Sequence, residues 1–356
     1  MLNDCIRIGL EANVTSLKSL SLKAYGQLKG YEVLSYYKLC AISKATGILR
    51  NYRKAKRRAK PTKEPYARRL QLGTCYGLKI KGGILWLPFK PRQPIKILLN
   101  RHTRKVLSEP DIAVRSITLT NSRLSFAYAK EVAEIQLRGL IGIDRNLDNL
   151  TLADTEGEVE RFNLVKATII KSKYGAVKAR FRRNDVRVRR SIFQKYGRKE
   201  RNKVQHLLNN VSKHIVEDAK GKRFGIVMEN LTGIRRLYRK GNGQGPFYRG
   251  RMNGWSFREL QRQIEYKARW KGLPVIYVRP HSTSSKCLRC GHRLLPEENR
   301  MMKCLNCGLM IDRDINAAKN ILALGLRFRP LAQPVEAMVQ EPAPAVILKV
   351  DGCEVG

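Results

Sequence analysis

Apolar residues over the first fifty positions recur mostly at helical intervals: Leu17, Leu20, Leu28, Val33, Leu34, Leu39, Ile42 and Ile48. The pattern breaks near Gly26 and Gly30, which predicts more than one helix in this region. From 72 to 130 the pattern changes to short strands. LGTCYGLKI, GILWLPF, PIKILLN, RSITLTN and RLSFAYAK are separated by Gly-Gly, Pro and Asn-Ser turn signals, which predicts a small antiparallel sheet or barrel.

At about 138 the pattern changes again. GLIGID, NLTLAD and VERFN read as three successive strands joined by short polar turns. A basic helical region follows over 165–218, in which Val204, Leu207, Leu208, Val211 and Ile215 mark a buried face. FGIVMEN (224–230) is a nearly all-apolar strand, and SFRELQRQIEYKARWKG (256–272) is amphipathic, with Phe257, Leu260, Ile264 and Ala268 on one face. PVIYV (274–278) is the next buried strand, and a last helix follows a cysteine-containing segment. Three strands, a helix, a strand, a helix, a strand and a final helix is the order of a ribonuclease-H-like α/β fold. The segment from 328 to 356 is Pro- and Ala-rich and predicts a mobile tail.

Charge then decides the class of partner. The chain has 356 residues, 43% of them hydrophobic, so two or three folded units are expected rather than a disordered polycation. Lys and Arg number 71 against 29 acids, a net charge of +42. A surface that positive calls for a polyanion, and nucleic acid is the natural one. No run of about 18 apolar residues predicts a membrane span, and MLNDCIRIGLEANVTS lacks the features of a secretory signal. Residues 50–69 carry ten positive charges and one acid, with Tyr52 and Tyr66 interleaved. Arg53, Lys54, Arg57 and Arg58 are phosphate-contact candidates there, with the tyrosines available to stack on bases. Over 161–205 sixteen Lys or Arg face only Asp185 and Glu200, which adds Arg180, Arg182, Arg183, Arg187, Arg189 and Arg190. Cys5, Cys40, Cys75 and Cys353 are scattered singly and read as buried or incidental thiols. A reducing compartment is expected, cytoplasmic and nucleoid-associated.

Two constellations carry chemistry. Cys287, Cys290, Cys304 and Cys307 form C-x2-C-x13-C-x2-C, each pair followed by glycine (Gly291, Gly308). Four thiolates at this spacing close a tetrahedron around zinc and leave no open position, so the zinc is structural. His281 and His292 read as surface or phosphate-facing residues outside that shell. The second constellation is acidic: Asp144 ends GLIGID, Glu229 ends FGIVME, and Asp312 or Asp314 opens the last helix. Carboxylates that converge repel one another unless cations sit among them, and a pair of Mg²⁺ ions held by three acids suits phosphodiester hydrolysis. The Gly-rich, basic stretch 235–255 contains Arg235, Arg236, Tyr238, Phe247, Tyr248 and Trp255. It reads as a mobile segment that guards this site and touches single-stranded DNA.

GIDRNLDNL, VMENLTGIR, WSFRELQRQIEYKARWKGLPVIYV, SSKCLRCG, CLNCG and DRDINAAKNI, in this order, resemble the RuvC-like core of TnpB proteins. These are RNA-guided DNA nucleases encoded by insertion sequences and relatives of type V CRISPR effectors. The resemblance covers roughly 139–325 and is nearest to the archaeal branch. It implies that Asp144, Glu229 and Asp314 are the catalytic, Mg²⁺-binding acids, that Asp312 caps the helix, and that Asn316 is an amide behind the metal ligands. It further implies an α+β multidomain chain. A helical recognition lobe would span 1–70, a β-barrel-like wedge domain 71–138, and an RNase-H-like (RuvC) nuclease core 139–280. An inserted zinc ribbon (281–310), the final core helix (311–327) and the tail (328–356) would complete it. The chain departs from the family in two places. No wedge strand precedes the first helices, and Asn146 stands where glycine is common.

The function so implied is that of a transposon-encoded, Mg²⁺-dependent DNA endonuclease. A guide RNA would pair with a double-stranded target whose flanking motif the protein reads. Alternatives are an N-terminally truncated, nuclease-deficient RNA-guided DNA binder and a structural zinc-ribbon RNA-binding protein. The latter explains the charge and the zinc but not three strand-end acids. A classical transposase is compatible with the acids alone.

Overall fold

The first fifty residues fold as helices α1 (Leu2–Glu11), α2 (Leu17–Ala24) and α3 (Ser35–Arg57) in a computed structural model. The structure describes residues 1–328 except 60, 91, 92, 134, 183 and 281, together with 346–351. It divides into two units, one built from Met1–Glu131 and the segment carrying the last strand, the other beginning at Val132.

In the first unit, Cys5, Ile6 and Ile8 of α1 meet Leu20 and Ala24 of α2, Leu28, and Ile42, Ala45 and Leu49 of α3 in one apolar core. Ser16 starts α2 by accepting the backbone N–H of Ser19 at 3.0 Å. The strands follow as β1 (Gln71–Thr74), β2 (Lys79–Lys81), β3 (Ile84–Lys90) and β4 (Gln93–Leu98). Helix α4 (Arg101–Leu107) then precedes β5 (Ile112–Thr120) and β6 (Arg123–Lys130). They form two antiparallel sheets, β2-β3-β4 and one in which β1, β5 and β6 are neighbours. Helix α4 was not signalled by the strand-like pattern. It is capped by the Asn100 side chain, which accepts from the Thr103 N–H at 2.8 Å. One expectation needs correcting. Of the tail read as mobile, Val346–Asp351 is a strand paired antiparallel with β6, Val346 opposite Tyr128 and Asp351 opposite Arg123. The run VILKVD is rich in strand-forming residues, and β6 offers it an edge. Residues 329–345 and 352–356 of that tail lie outside the described residues.

The second unit opens with β7 (Gly139–Arg145), β8 (Asn149–Asp154) and β9 (Val159–Asn163). Helix α5 (Val165–Ala179) is followed by α6 (Val186–Val188), a π-helical turn over Arg189–Phe193 and the long α7 (Gln194–Lys222). Then come β10 (Phe224–Glu229), α8 (Pro246–Gly254), α9 (Phe257–Trp270) and β11 (Val275–Val278). The cysteine segment forms β12 (Leu294–Pro296), β13 (Met301–Cys304) and β14 (Met310–Asp312), and α10 (Arg313–Arg327) closes the unit.

The main sheet has the order β11-β10-β7-β8-β9, with β7, β10 and β11 parallel, β8 antiparallel to β7 and β9 antiparallel to β8. Strand β7 is central and apolar on both faces, as a strand covered on both sides must be. On one face Ile141, Ile143, Ile226 and Met228 pack with Val204, Leu208 and Ile215 of α7 and Leu260 and Ile264 of α9. On the other, Leu140, Val227 and Val278 pack with Ile321 and Leu322 of α10. Gly142 lets α10 come this close: a Cβ there would stand 2.4 Å from the Ala318 carbonyl oxygen. That approach brings the first turn of α10 to the end of β7. Among the described residues no helix is long and apolar enough to cross a membrane.

Candidate carboxylate centre and cysteine ribbon

Parallel strands β7 and β10 place their carboxyl-terminal acids together. Ile143 pairs with Met228 in the parallel register, so Asp144 and Glu229 emerge as neighbours at the same end of the sheet. Asp314 comes from the first turn of α10, on the same helical face as Ala318, Ile321 and Leu322, which pack on the sheet. Asp144 is 8% exposed and Asp314 2%. Burial, then the negative charge of Glu229, with a smaller contribution from Asp314, pushes the Asp144 carboxyl up to about 7 against the opposing pull of the Asn146 amide. Asp312 caps α10 instead of joining this group. Its carboxylate accepts from the N–H groups of Asp314 at 2.8 Å and Ile315 at 3.1 Å, and it is ion-paired with Arg161. Burial raises its titration, but Arg161 and the two N–H groups outweigh that and hold it low.

A shell of donors surrounds the three acids. Asn146 Nδ2 donates to Asp144 Oδ2 at 2.7 Å and to Asn149 Oδ1 at 3.2 Å, and Asn149 Nδ2 donates to Asp314 Oδ2 at 3.3 Å. Thr283 Oγ1 donates to Glu229 Oε1 at 2.6 Å. Arg300 pairs with Asp314. Arg145 is 4% exposed, donating to the Glu229 carbonyl and, at 2.9 Å, to Gln261 Oε1. Burial lowers its titration to about 10, so it stays cationic at neutral pH. The carboxylates are more loosely gathered than the thiolates. Among the described residues, only the four cysteines bring three or more potential metal ligands within 4.8 Å of one another.

Those cysteines are held by the three-stranded antiparallel sheet β12-β13-β14. Cys287 Sγ lies 3.6 Å from Cys307 Sγ, and Cys290 Sγ lies 3.4 Å from Cys304 Sγ. Zinc–sulfur bonds of about 2.3 Å in a tetrahedron require sulfurs about 3.8 Å apart, so the donor set fits zinc with little adjustment. Gly291 and Gly308 donate to the carbonyls of Cys287 and Cys304 at 2.9 and 3.0 Å with φ of +77° and +70°, the left-handed turn each knuckle needs. Asn316, fully buried, ties α10 to this ribbon. Its amide donates to Lys286 O at 2.8 Å and Thr283 O at 3.4 Å and accepts from Leu288 N at 3.2 Å. The sequence suggested an amide supporting the acids. The structure shows one supporting the ribbon, which in turn supplies Thr283 and Arg300 to the acids. His292 is exposed, and His281 lies outside the described residues.

The basic candidates among the described residues are on the surface. Arg53, Lys54 and Arg57 are exposed on the last turns of α3, with Arg58 at its end. Arg180, Arg182, Arg187, Arg189 and Arg190 are exposed between α5 and α7, while Arg183 lies outside the described residues. Arg235 and Arg236 are exposed on a short helical turn, Arg235 lying 6.0 Å from the Phe257 ring centre. Trp255 is half-buried and donates its Nε1–H to the Asn146 carbonyl at 2.9 Å. Arg251 on α8 pairs with Asp148 at 3.1 Å, so the stretch 235–255 is tied to the β7–β8 turn. The sequence reading missed Arg145, Asn149, Thr283 and Arg300. Arg145 and Asn149 stand inside the GIDRNLDNL motif already quoted, and Thr283 precedes Cys287 in a Ser/Thr run. No sequence signal marks Arg300.

Comparison with known proteins bears on this arrangement. Residues 257–321 match the family described as Cas12f1-like, TNB domain. A solved structure titled as a Cas12f1-sgRNA-target DNA complex superposes with a TM-score of 0.60 at 15% identity, covering 90% of this chain and 79% of that one. The fold is therefore a Cas12f-like mixed α/β fold with a four-cysteine ribbon. The TnpB-like protein MJ0751 of Methanocaldococcus jannaschii is 29% identical over 256 residues, covering 68% of this chain and 91% of that protein. CRISPR-associated endodeoxyribonuclease Cas12f2 of a Micrarchaeota archaeon is 35% identical over 128 residues, 33% of this chain and 23% of that protein. In sequence the chain thus resembles TnpB-like and Cas12f proteins.

Proposed function

We propose that the chain is an RNA-guided, Mg²⁺-dependent DNA endonuclease of a transposable element, with Asp144, Glu229 and Asp314 as its catalytic acids in a RuvC-like core. The observation that carries this reading is the convergence of three acids from two strands and a helix, with Asp144 held near neutrality by burial and by the other two. Such a site favours divalent cations, since each cation relieves repulsion that the protein alone leaves in place. Bound there, they would activate water and stabilise the leaving oxygen of a phosphodiester. The chain's own part is to fix the acids: Asn146 orients Asp144, Thr283 orients Glu229, and Asn149 holds Asp314.

The exposed arginines and lysines of α3 and of the 180–190 segment would neutralise phosphates of guide RNA and target DNA. The names of relatives point the same way, since Cas12f2 is called an endodeoxyribonuclease and the Cas12f1 complex contains sgRNA and target DNA. In this reading the first unit carries the helical recognition lobe and the β-rich wedge, and the cysteine ribbon binds structural zinc. Asp144→Ala should abolish cleavage of a guide-matched target while leaving guide RNA bound. Full cleavage by that variant refutes the assignment.

A second reading, an RNA-guided DNA binder without useful cleavage, draws on the pairing of Arg300 with Asp314, which occupies one acid. Guide-directed DNA binding by the unaltered chain, with no cutting at any Mg²⁺ concentration, would select it.

A further inference from the structure

The turn between β7 and β8 is more heavily bonded than a strand connection requires. The Asn146 backbone N–H closes it onto the Asn149 carbonyl at 3.0 Å. The Asn146 carbonyl receives the Trp255 indole N–H at 2.9 Å. The side-chain Nδ2 of Asn146 donates to Asp144 Oδ2 at 2.7 Å and to Asn149 Oδ1 at 3.2 Å, and Asn149 passes the link on to Asp314 Oδ2 at 3.3 Å. Two adjacent amides thus bridge an acid of the central strand and an acid of α10.

We infer that Asn146 is a positioning residue for the carboxylate centre: its amide fixes the Asp144 carboxylate toward the space it shares with Glu229 and Asp314. This inference rests on the proposed metal-binding role of the three acids. A buried carboxylate on a short side chain has two competing needs, a donor for the oxygen turned away from the cations and a free oxygen turned toward them. Asn146 meets the first by donating to Oδ2, which leaves Oδ1 available. A donor supplied by an exposed turn would wander. This one is held at its backbone by Trp255 and Asn149, so its amide is aimed before any ligand arrives. Asn149 likewise donates to Oδ2 of Asp314, whose Oδ1 pairs with Arg300, and the contact between the two amides makes the pair one unit.

The test uses the full chain with its copurified guide RNA, and Mn²⁺ as the probe. Binding is read by electron paramagnetic resonance of the free ion, at one pH well above the value near 7 at which Asp144 titrates. Losing a hydrogen bond to a charged group should weaken Mn²⁺ binding in Asn146→Ala about tenfold, with the thermal midpoint of the complex unchanged. Asn146→Gln keeps the amide on a longer arm and should recover part of the loss. Asn146→Ala binding Mn²⁺ like the unaltered chain overturns the inference, and so does Asn146→Gln binding as weakly as Asn146→Ala. Asp144→Ala separates this from the parent reading. If that variant also binds normally, the acids are not the metal site. If it alone loses binding, the acids stand and only the role of Asn146 falls.

Discussion

Asp144→Asn should make the protein more stable in the absence of Mg²⁺, and by an amount that depends on pH. Asp144 titrates near 7 in the folded chain against an ordinary 3.8, chiefly because it is buried and secondly because Glu229 is charged beside it. Between those two values the folded state holds a proton that the unfolded state has lost, so stability falls as pH rises through that window. Above 7 the full penalty is present. A difference of about 3 pH units at about 1.4 kcal/mol each gives a ceiling of about 4 kcal/mol. Asparagine is uncharged at every pH and still accepts from Asn146, so it removes the penalty without opening a cavity. At about 2–4 °C per kcal/mol for a unit of this size, the melting midpoint should rise by at most about 8–16 °C at alkaline pH. Near pH 4 the gain should vanish. The assay is a thermal melt of both proteins across the pH range, without a strong chelator, which would strip the cysteine site. Adding Mg²⁺ should stabilise the unaltered protein and reverse the ranking. A gain of equal size at pH 4 and above 7, or none at either, would mean that Asp144 is not held as a strained acid.

Gly142→Ala should destabilise the second unit by about 1–3 kcal/mol or more, because the new Cβ would lie 2.4 Å from the Ala318 carbonyl and 2.6 Å from the Leu322 nitrogen, both backbone atoms. A melting midpoint equal to the parent's would contradict the close packing of α10 on β7. Removal of zinc, or Cys304→Ser, should expose the ribbon amides to hydrogen exchange and abolish target cleavage, since Thr283 and Arg300 reach Glu229 and Asp314 from the ribbon and its lead-in. Unchanged exchange in β12–β14 after zinc is lost would show that the thiolates do not hold a structural ion.

The strands of the main sheet and helix α9 were legible from their own patterns, whereas α8, in a stretch read as a mobile segment, and the short strands β12–β14 were not. The runs GLIGID and FGIVME are apolar up to their terminal acids, as strands buried on both faces are, and α9 shows its apolar stripe of Phe257, Leu260, Ile264 and Ala268. In the first unit the strands were legible but α4 was not. Its seven residues, RHTRKVL, show too little amphipathic pattern to reveal a helix, and its clearest mark is the Asn100 cap. The tail misled for a related reason. The Pro- and Ala-rich composition of 328–356 dominates the six residues VILKVD, whose strand depends on a partner, β6, more than two hundred residues earlier.

Asp144 and Glu229 stood out in the sequence because a charged residue at the end of an apolar strand is conspicuous against what precedes it, whereas Asp314, in the first turn of α10, was preferred to Asp312 on the family resemblance. What orients them could not be found this way, because orientation depends on which side chains arrive from elsewhere. Asn149 meets Asp314 across 165 positions and Thr283 meets Glu229 across 54. Asn316, which the family resemblance implied as an amide behind the metal ligands, directs its amide to Thr283 and Lys286 and so stands behind Glu229 only through Thr283. The consequence concerns the ribbon. The four cysteines stand apart from the acids in the sequence as a self-contained zinc module, but the segment leading into them delivers Thr283 to Glu229, its Arg300 reaches Asp314, and α10, which presents Asp314, grips it through Asn316. A structural zinc bound at this place would therefore act on the carboxylate centre through two side chains and one clamp, and mutations that loosen the ribbon should be felt first in the geometry of Glu229 and Asp314, with Asp144, held by Asn146 of the β7–β8 turn, affected last.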